Sequence, residues 1–116
     1  MAPTSSYSQK LRDPRWQKKR LIIMDRDKFT CCNCGESEQT LNVHHCYYEA
    51  GREPWDYPEA SLITLCESCH ESETAYAADA KRNFIKLLCQ KGFMAEDFID
   101  LSVKFLNLDL GAIKNG

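Results

Sequence analysis

Four of the seven cysteines in this 116-residue chain lie in two pairs with the same spacing. Cys31 and Cys34 form one Cys-x-x-Cys pair, and Cys66 and Cys69 form the other. Two such pairs can place four thiolates at the corners of a tetrahedron around one zinc ion. The spacing therefore predicts a structural zinc site. Cys32 is a less favourable alternative to Cys31, because a Cys-x-Cys turn is the less common geometry.

The three histidines of the chain lie close to these cysteines in sequence. His44 and His45 fall between the two pairs, and His70 directly follows Cys69. Three histidines on one scaffold favour a second metal site or a proton-transfer site. Because consecutive helical residues point about 100° apart, His70 can face away from the zinc that Cys69 binds. His44 and His45 alternate faces on a regular strand, so the spacing leaves open which of them binds metal.

The pattern of apolar residues predicts the elements that must position these side chains. We expect a helix from Asp13-Pro14 to about Arg26, strands over 39–48 and 62–65, a helix over about 69–90 and a final helix over about 95–107. The segment 54–58 is expected to be extended, because a proline disfavours helix at the residue before it. We interpret the apolar stripes of the last two helices as core packing. These stripes consist of Tyr76, Ala80, Phe84, Leu87 and Leu88, and of Phe98, Leu101, Phe105 and Leu108.

Charge is distributed unevenly along the chain. Residues 1–28 carry eight Lys or Arg against three Asp, whereas residues 29–116 carry seven Lys or Arg against fourteen Asp or Glu. A basic segment on an acidic body suits contact with phosphates, although a solvated helix face has the same composition. No signal-like apolar start or long apolar run is present in the sequence, so we expect neither a secretory signal nor a membrane span. The cysteines then indicate metal binding in the reducing cytoplasm rather than disulfides.

Three motifs follow one another along the chain: Cys31-x-x-Cys34, then Val43-His44-His45, then Leu62-Ile63-Thr64-Leu65-Cys66-x-x-Cys69-His70. Together they resemble the HNH endonucleases that carry a four-cysteine zinc, and the resemblance covers about residues 14 to 75. The helix with Trp16-x-x-x-Arg20 is similar to the helix that precedes the first cysteine pair in that family.

The resemblance implies an α+β fold in which two strands and a helix form a ββα-metal (HNH) core. The zinc staples this core, and an N-terminal helix and two C-terminal helices flank it. We accordingly expect a flexible basic arm over residues 1–12 and one HNH-like domain over residues 13–116. The core of that domain would lie at about 29–75 and a helical extension at 76–110.

The resemblance also implies a role for each histidine. His44 and His70 fall on positions that bind a catalytic divalent cation, and His45 falls on the position of the general base. Ser61 replaces the asparagine that normally steadies the loop and the base, so the base is expected to be less firmly oriented. Two imidazole ligands favour Mn²⁺, Ni²⁺ or Co²⁺ over Mg²⁺, and Zn²⁺ is a further candidate.

The implied activity is metal-dependent hydrolysis of DNA phosphodiester bonds, by nicking or by double-strand cleavage, in a bacterial or phage-infected cell. The DNA is expected to be double-stranded and bound with little sequence preference, because the contacts are mainly to phosphates. The side chains expected to make these contacts are Lys10, Arg12, Arg15, Lys18, Lys19, Arg20 and Arg52. The alternative is an inactive, zinc-dependent nucleic-acid-binding or adaptor module on the same scaffold. The C-terminal helices are a candidate surface for a protein partner.

Overall fold

A computed structural model of the protein describes residues 6–109, in which four α-helices accompany one two-stranded sheet. The helices are α1 (Tyr7–Lys10), α2 (Pro14–Arg26), α3 (Glu67–Gln90) and α4 (Ala95–Leu106), and the strands are β1 (Leu41–His45) and β2 (Leu62–Cys66). Two short 3-10 turns lie between the strands, at Pro54–Asp56 and Glu59–Ser61. The mixed α+β class predicted from the sequence is therefore present.

The two strands are antiparallel and position the histidine pair. His44 lies opposite Ile63, and His45 lies opposite Leu62. The strand predicted over 39–48 is shorter in the structure and ends at His45. Both histidines consequently lie where the sheet ends and the connection to β2 begins.

The connection between the strands is folded more tightly than the sequence predicted. The proline rule holds for the residues before the two prolines, because Glu53 and Tyr57 are extended, with ψ angles of 153° and 146°. The expectation that all of 54–58 is extended is wrong, since Pro54–Asp56 forms a 3-10 turn. Proline has no N–H to satisfy at the first position of such a turn, and this makes the turn accessible to this sequence.

Helix α2 begins and ends at polar contacts that fix its position. The Asp13 carboxylate accepts a hydrogen bond from the Arg15 N–H at 2.8 Å, and Pro14 occupies the first helical position, as predicted. At the other end, Asp27 accepts hydrogen bonds from Arg26 and from the Thr64 N–H, the latter at 3.0 Å. The end of α2 is therefore bound directly to β2.

Helix α1 lies within the segment that the sequence predicted to be a flexible arm. Ser6 and Gln9 form a capping box, in which the Ser6 hydroxyl accepts from the Gln9 N–H at 3.2 Å and the Gln9 side chain accepts from the Ser6 N–H at 3.0 Å. These reciprocal hydrogen bonds fix one turn of helix before α2. Residues 1–5 of the predicted arm lie outside the described residues.

The main hydrophobic cluster brings α2, both strands and the connection together. Its buried members are Trp16, Ile23, Met24, Val43, Tyr57 and Leu62. A second, smaller cluster consists of Cys31, Leu65 and Cys66, so two of the paired cysteines are themselves buried. This packing holds the cysteine pairs and the histidine strand on one scaffold.

The chain divides into two compact units, with the boundary between Ala75 and Tyr76 inside α3. In the second unit, the prediction that the apolar stripes pack as a core is wrong, because neither α3 nor α4 has a buried residue. The Phe84 and Phe105 side chains are 57% and 48% exposed. Phe93, in the turn between these two helices, packs edge-on against Phe98 of α4. No helix within residues 6–109 is long and apolar enough to cross a membrane.

Candidate metal centre and histidine site

The four paired cysteines form one cluster, as the spacing predicted. One sulfur atom from each of Cys31, Cys34, Cys66 and Cys69 lies within 4.8 Å of all the others. The Cys34 and Cys66 sulfurs are 3.7 Å apart. Tetrahedral zinc with Zn–S bonds of about 2.3 Å puts neighbouring sulfurs about 3.8 Å apart. The cluster can therefore hold a structural metal ion such as zinc, and Cys32 is not part of it.

Hydrogen bonds from backbone N–H groups fix the turn that each cysteine pair forms. The Cys34 N–H donates to the Cys31 sulfur at 3.5 Å, and the Cys69 N–H donates to the Cys66 sulfur at 3.5 Å. Gly35, with a φ of 81°, allows the first turn to close in a conformation that favours glycine. The second turn coincides with the first turn of α3, whose free N–H groups favour negatively charged sulfur.

The thiols of the cluster differ in how readily they ionise. Burial opposes ionisation of Cys31, but backbone N–H groups outweigh it and lower its pKa to about 6. For Cys34, a backbone N–H from Glu36 acts in the opposite direction from the neighbouring sulfurs, and the net effect raises its pKa to about 12. Four thiolates this close repel one another unless a positive ion lies between them.

The structure brings His44 and His70 together next to the cysteine cluster. Their ring centroids are 5.4 Å apart at an interplanar angle of 72°. His44 is supplied by the end of β1 and His70 by the first turn of α3, one residue after Cys69. Both rings are partly exposed. The two imidazoles are thus neighbours, and imidazole is a ligand type that suits divalent transition metals.

His45 occupies a different environment from its neighbour. Its side chain is 3% exposed, and its Nε2 atom lies 3.0 Å from the Pro54 carbonyl oxygen. The ring stacks against Trp16 and against Tyr48, with centroid distances of 4.9 Å and 5.2 Å. Burial lowers the pKa of His45, although the hydrogen bond to Pro54 opposes this shift. The imidazole is therefore fixed in orientation and favoured in its neutral form.

Ser61 is buried, but its hydroxyl does not bond to His45. It donates to the Pro58 carbonyl at 2.7 Å, and the Ser61 carbonyl accepts from the Cys46 N–H at 2.8 Å. Ser61 thus ties the connection between the strands to the residue after His45. These two hydrogen bonds hold the loop in place, but neither of them reaches the His45 side chain.

A cavity of about 290 Å³ opens beside the histidines in the first unit. His45 and His70 both line it, and so does Arg20 from α2. The remaining polar and aromatic lining includes Tyr7, Gln17, Asn42 and Tyr48. A cationic and hydrogen-bonding lining of this kind suits an anionic ligand such as a phosphate.

The basic side chains predicted to contact phosphates fall into two groups. Three are paired with carboxylates: Lys10 with Glu53 at 3.0 Å, Arg15 with Asp13 at 2.9 Å, and Arg52 with Glu49 at 2.8 Å. Arg15 also lies over the Trp55 ring, 4.1 Å from its centroid. The others lie along or just before α2 without a carboxylate partner among residues 6–109, and they are Arg12, Lys18, Lys19 and Arg20.

Sequence reasoning missed two contributors to this site. The Pro54 carbonyl carries no side-chain signal, and Tyr48 could have been noticed only because it lies three residues after His45. Comparison with models of known protein families, with curated proteins and with solved structures found no match. The functional interpretation therefore depends on the geometry of these residues.

Proposed function

We propose that this protein is a metal-dependent endonuclease of the HNH type that hydrolyses DNA phosphodiester bonds. The observation that carries the proposal is the arrangement of the three histidines. His44 and His70 lie side by side, while His45 is held neutral and oriented at the wall of the same cavity that His70 lines. A scaffold that served only to bind zinc would need the cysteines alone.

His45 is the proposed general base. A carbonyl oxygen only accepts hydrogen bonds, so Nε2 donates its N–H to Pro54 and Nδ1 carries the lone pair in the neutral ring. That nitrogen can take a proton from a water molecule as the water attacks phosphorus. The flanking Trp16 and Tyr48 rings limit rotation of the imidazole during this transfer.

His44 and His70 are the proposed ligands of a divalent cation. The 5.4 Å between their ring centroids is compatible with both imidazoles binding one ion. Such an ion, when bound, stabilises the negative charge that develops on the leaving 3′ oxygen. The resemblance to HNH enzymes implies 5′-phosphate and 3′-hydroxyl products.

Basic side chains next to this cavity are the proposed contacts to DNA. Arg20 lines the cavity itself and is the residue best placed to contact the reacting phosphate. Lys18 and Lys19 precede it on α2 and would contact neighbouring phosphates. We assign β1, β2 and the first turns of α3 to the ββα-metal core, with the cysteine-bound ion as its structural zinc.

The test is the conversion of supercoiled plasmid to nicked circles by protein that retains one structural zinc but has lost weakly bound metal. The wild type should cut when Mn²⁺ is added, and the His44→Ala and His70→Ala variants should lose at least about a hundredfold in rate. Glu38→Ala is the control, since Glu38 is exposed just before the same strand and does not line the cavity, and it should stay within severalfold of the wild type. Absence of cutting by folded, zinc-loaded wild type with any divalent cation would favour the inactive binding module.

A further inference from the structure

The second unit exposes apolar side chains on both of its helices. Tyr76 on α3 is 70% exposed, and Ile99 and Leu106 on α4 are 62% and 85% exposed. Other large apolar side chains exposed in this unit are Phe84, Ile85, Leu87, Met94, Val103, Phe105 and Leu108. Scattered exposed apolar residues are normal on a protein surface, but a set of this size on two consecutive helices is typical of an interaction site.

The width of the apolar face of α4 indicates how many other helices can pack against it. At 100° per residue, its apolar residues span an arc of roughly 200°, running from Leu101 through Phe98 to Val103. Only Phe98 and Leu101 are half-buried, and Phe98 packs against Phe93 at a centroid distance of 5.7 Å. A helix in contact with a single neighbour needs an arc of about 100°. An arc twice as wide suits a helix with two neighbours, as in a four-helix bundle.

The two helices carry opposite charge. The α3 segment of this unit, residues 76–90, has three basic residues, Lys81, Arg82 and Lys86, against the single acidic Asp79. Helix α4 has three acidic residues, Glu96, Asp97 and Asp100, against the single basic Lys104. An assembly that alternates these helices places unlike charges side by side and like charges on the diagonal.

We propose that this helix pair, residues 76–106, binds the same helix pair of a second copy of the chain and forms a four-helix bundle. Around a two-fold axis, each α3 segment then lies between two α4 helices, one from its own chain and one from its partner. A second copy supplies both the apolar arcs and the alternating charges by symmetry. An unrelated partner would have to reproduce both features. The dimer does not depend on the nuclease proposal, but it would bring two histidine sites into one particle.

The experiment measures the mass of the zinc-loaded full chain in solution by light scattering over a range of protein concentrations. The wild type should have twice the mass of one chain. The double variant Ile99→Glu/Leu106→Glu should have the mass of one chain, because it puts carboxylates on the exposed part of the apolar arc. Leu21→Glu is the matched control, since Leu21 is 55% exposed but lies on α2 in the first unit. This control should remain a dimer.

A charge exchange distinguishes a second copy from any other occupant. Lys86→Glu and Asp100→Lys should each weaken the dimer about tenfold, and an equimolar mixture of the two should recover association as a heterodimer. Zinc content and helical circular dichroism report whether each variant is folded. A single-chain mass for the wild type at every concentration, or a dimer that persists in Ile99→Glu/Leu106→Glu, would overturn the proposal.

Discussion

The Nε2 nitrogen of His45 lies 3.0 Å from the carbonyl oxygen of Pro54, nine residues further along the chain. This hydrogen bond connects the last residue of β1 to the 3-10 turn in the connection to β2. Trp16 and Tyr48 each stack against the imidazole, so one polar contact and two stacking contacts hold the ring. These contacts supply an orientation that the Ser61 side chain does not supply, because its hydroxyl bonds to Pro58.

Replacing Tyr48 should show how much its stacked ring contributes to the orientation of His45, the proposed general base. Tyr48→Leu removes one stacking face from His45, and we expect the single-turnover rate of plasmid nicking to fall by about ten- to a hundredfold. Tyr48→Phe keeps the aromatic face and should retain most of the rate. Equal losses in the two variants would mean that the Tyr48 hydroxyl, not the stacked ring, is the important group.

The identity of the first zinc ligand can be tested by a comparison of adjacent cysteines. Cys31→Ser should reduce bound zinc below one ion per chain and lower the melting temperature, because Cys31 belongs to the cluster. Cys32→Ser should retain the ion and serves as the matched control. Native mass spectrometry and thermal melting check both expectations, and zinc loss in Cys32→Ser alone would contradict the assigned ligand set.

Asp27 should stabilise the first unit with a defined pH dependence. Burial opposes its ionisation, but hydrogen bonds from Arg26 and from the Thr64 N–H prevail and lower its pKa from 3.8 to about 2. Asp27→Asn should cost about 1 to 2 kcal/mol of unfolding free energy at neutral pH.

The pKa of Asp27 is lower in the folded chain than in the unfolded chain, and this difference sets how the free energy of unfolding changes with pH. Its stabilising effect is fully present above pH 3.8 and is lost as the pH falls through about 2. Denaturant unfolding of the zinc-loaded wild type and of Asp27→Asn should therefore differ by a constant amount between pH 8 and 5. A difference that changes across this range would mean that another group carries the effect.

The basic residues should differ in their contribution to DNA binding. Lys18 has no carboxylate partner among the described residues, whereas Arg52 is paired with Glu49 at 2.8 Å. Lys18→Ala should weaken binding to duplex DNA and reduce the slope of log K against log salt by about one. Arg52→Ala should have a smaller effect, because the pair with Glu49 must break before Arg52 meets a phosphate. Fluorescence anisotropy at several salt concentrations measures both.

The cysteine cluster could be predicted from the sequence because its ligands come in two local turns. Each Cys-x-x-Cys turn fixes its own geometry, so the structure only had to bring the two turns together. The spacing left open which of His44 and His45 would lie near His70, and only the resemblance to HNH endonucleases indicated His44; the structure shows why His44 lies there. His70 is adjacent to Cys69, and His44 lies on the strand that pairs with the segment leading into the second turn.

Other features could not be predicted because they depend on tertiary contacts. The Pro54 carbonyl reaches His45 only because the connection between the strands folds into a 3-10 turn, where the proline pattern indicated an extended chain. The helical spacing of the apolar residues around Phe84 and Phe105 correctly predicted α3 and α4. It did not predict that these side chains are exposed. Periodicity identifies an apolar face and carries no information on whether anything covers it.

The most direct test of the central claim is the single-turnover nicking rate of His45→Gln relative to the wild type, with Mn²⁺ and intact structural zinc. Glutamine can still donate to the Pro54 carbonyl but has no basic nitrogen for the attacking water. We predict that the wild type nicks plasmid and that His45→Gln is slower by about a hundred- to ten-thousandfold. Nicking by folded His45→Gln at the wild-type rate would contradict the assignment of His45 as the general base.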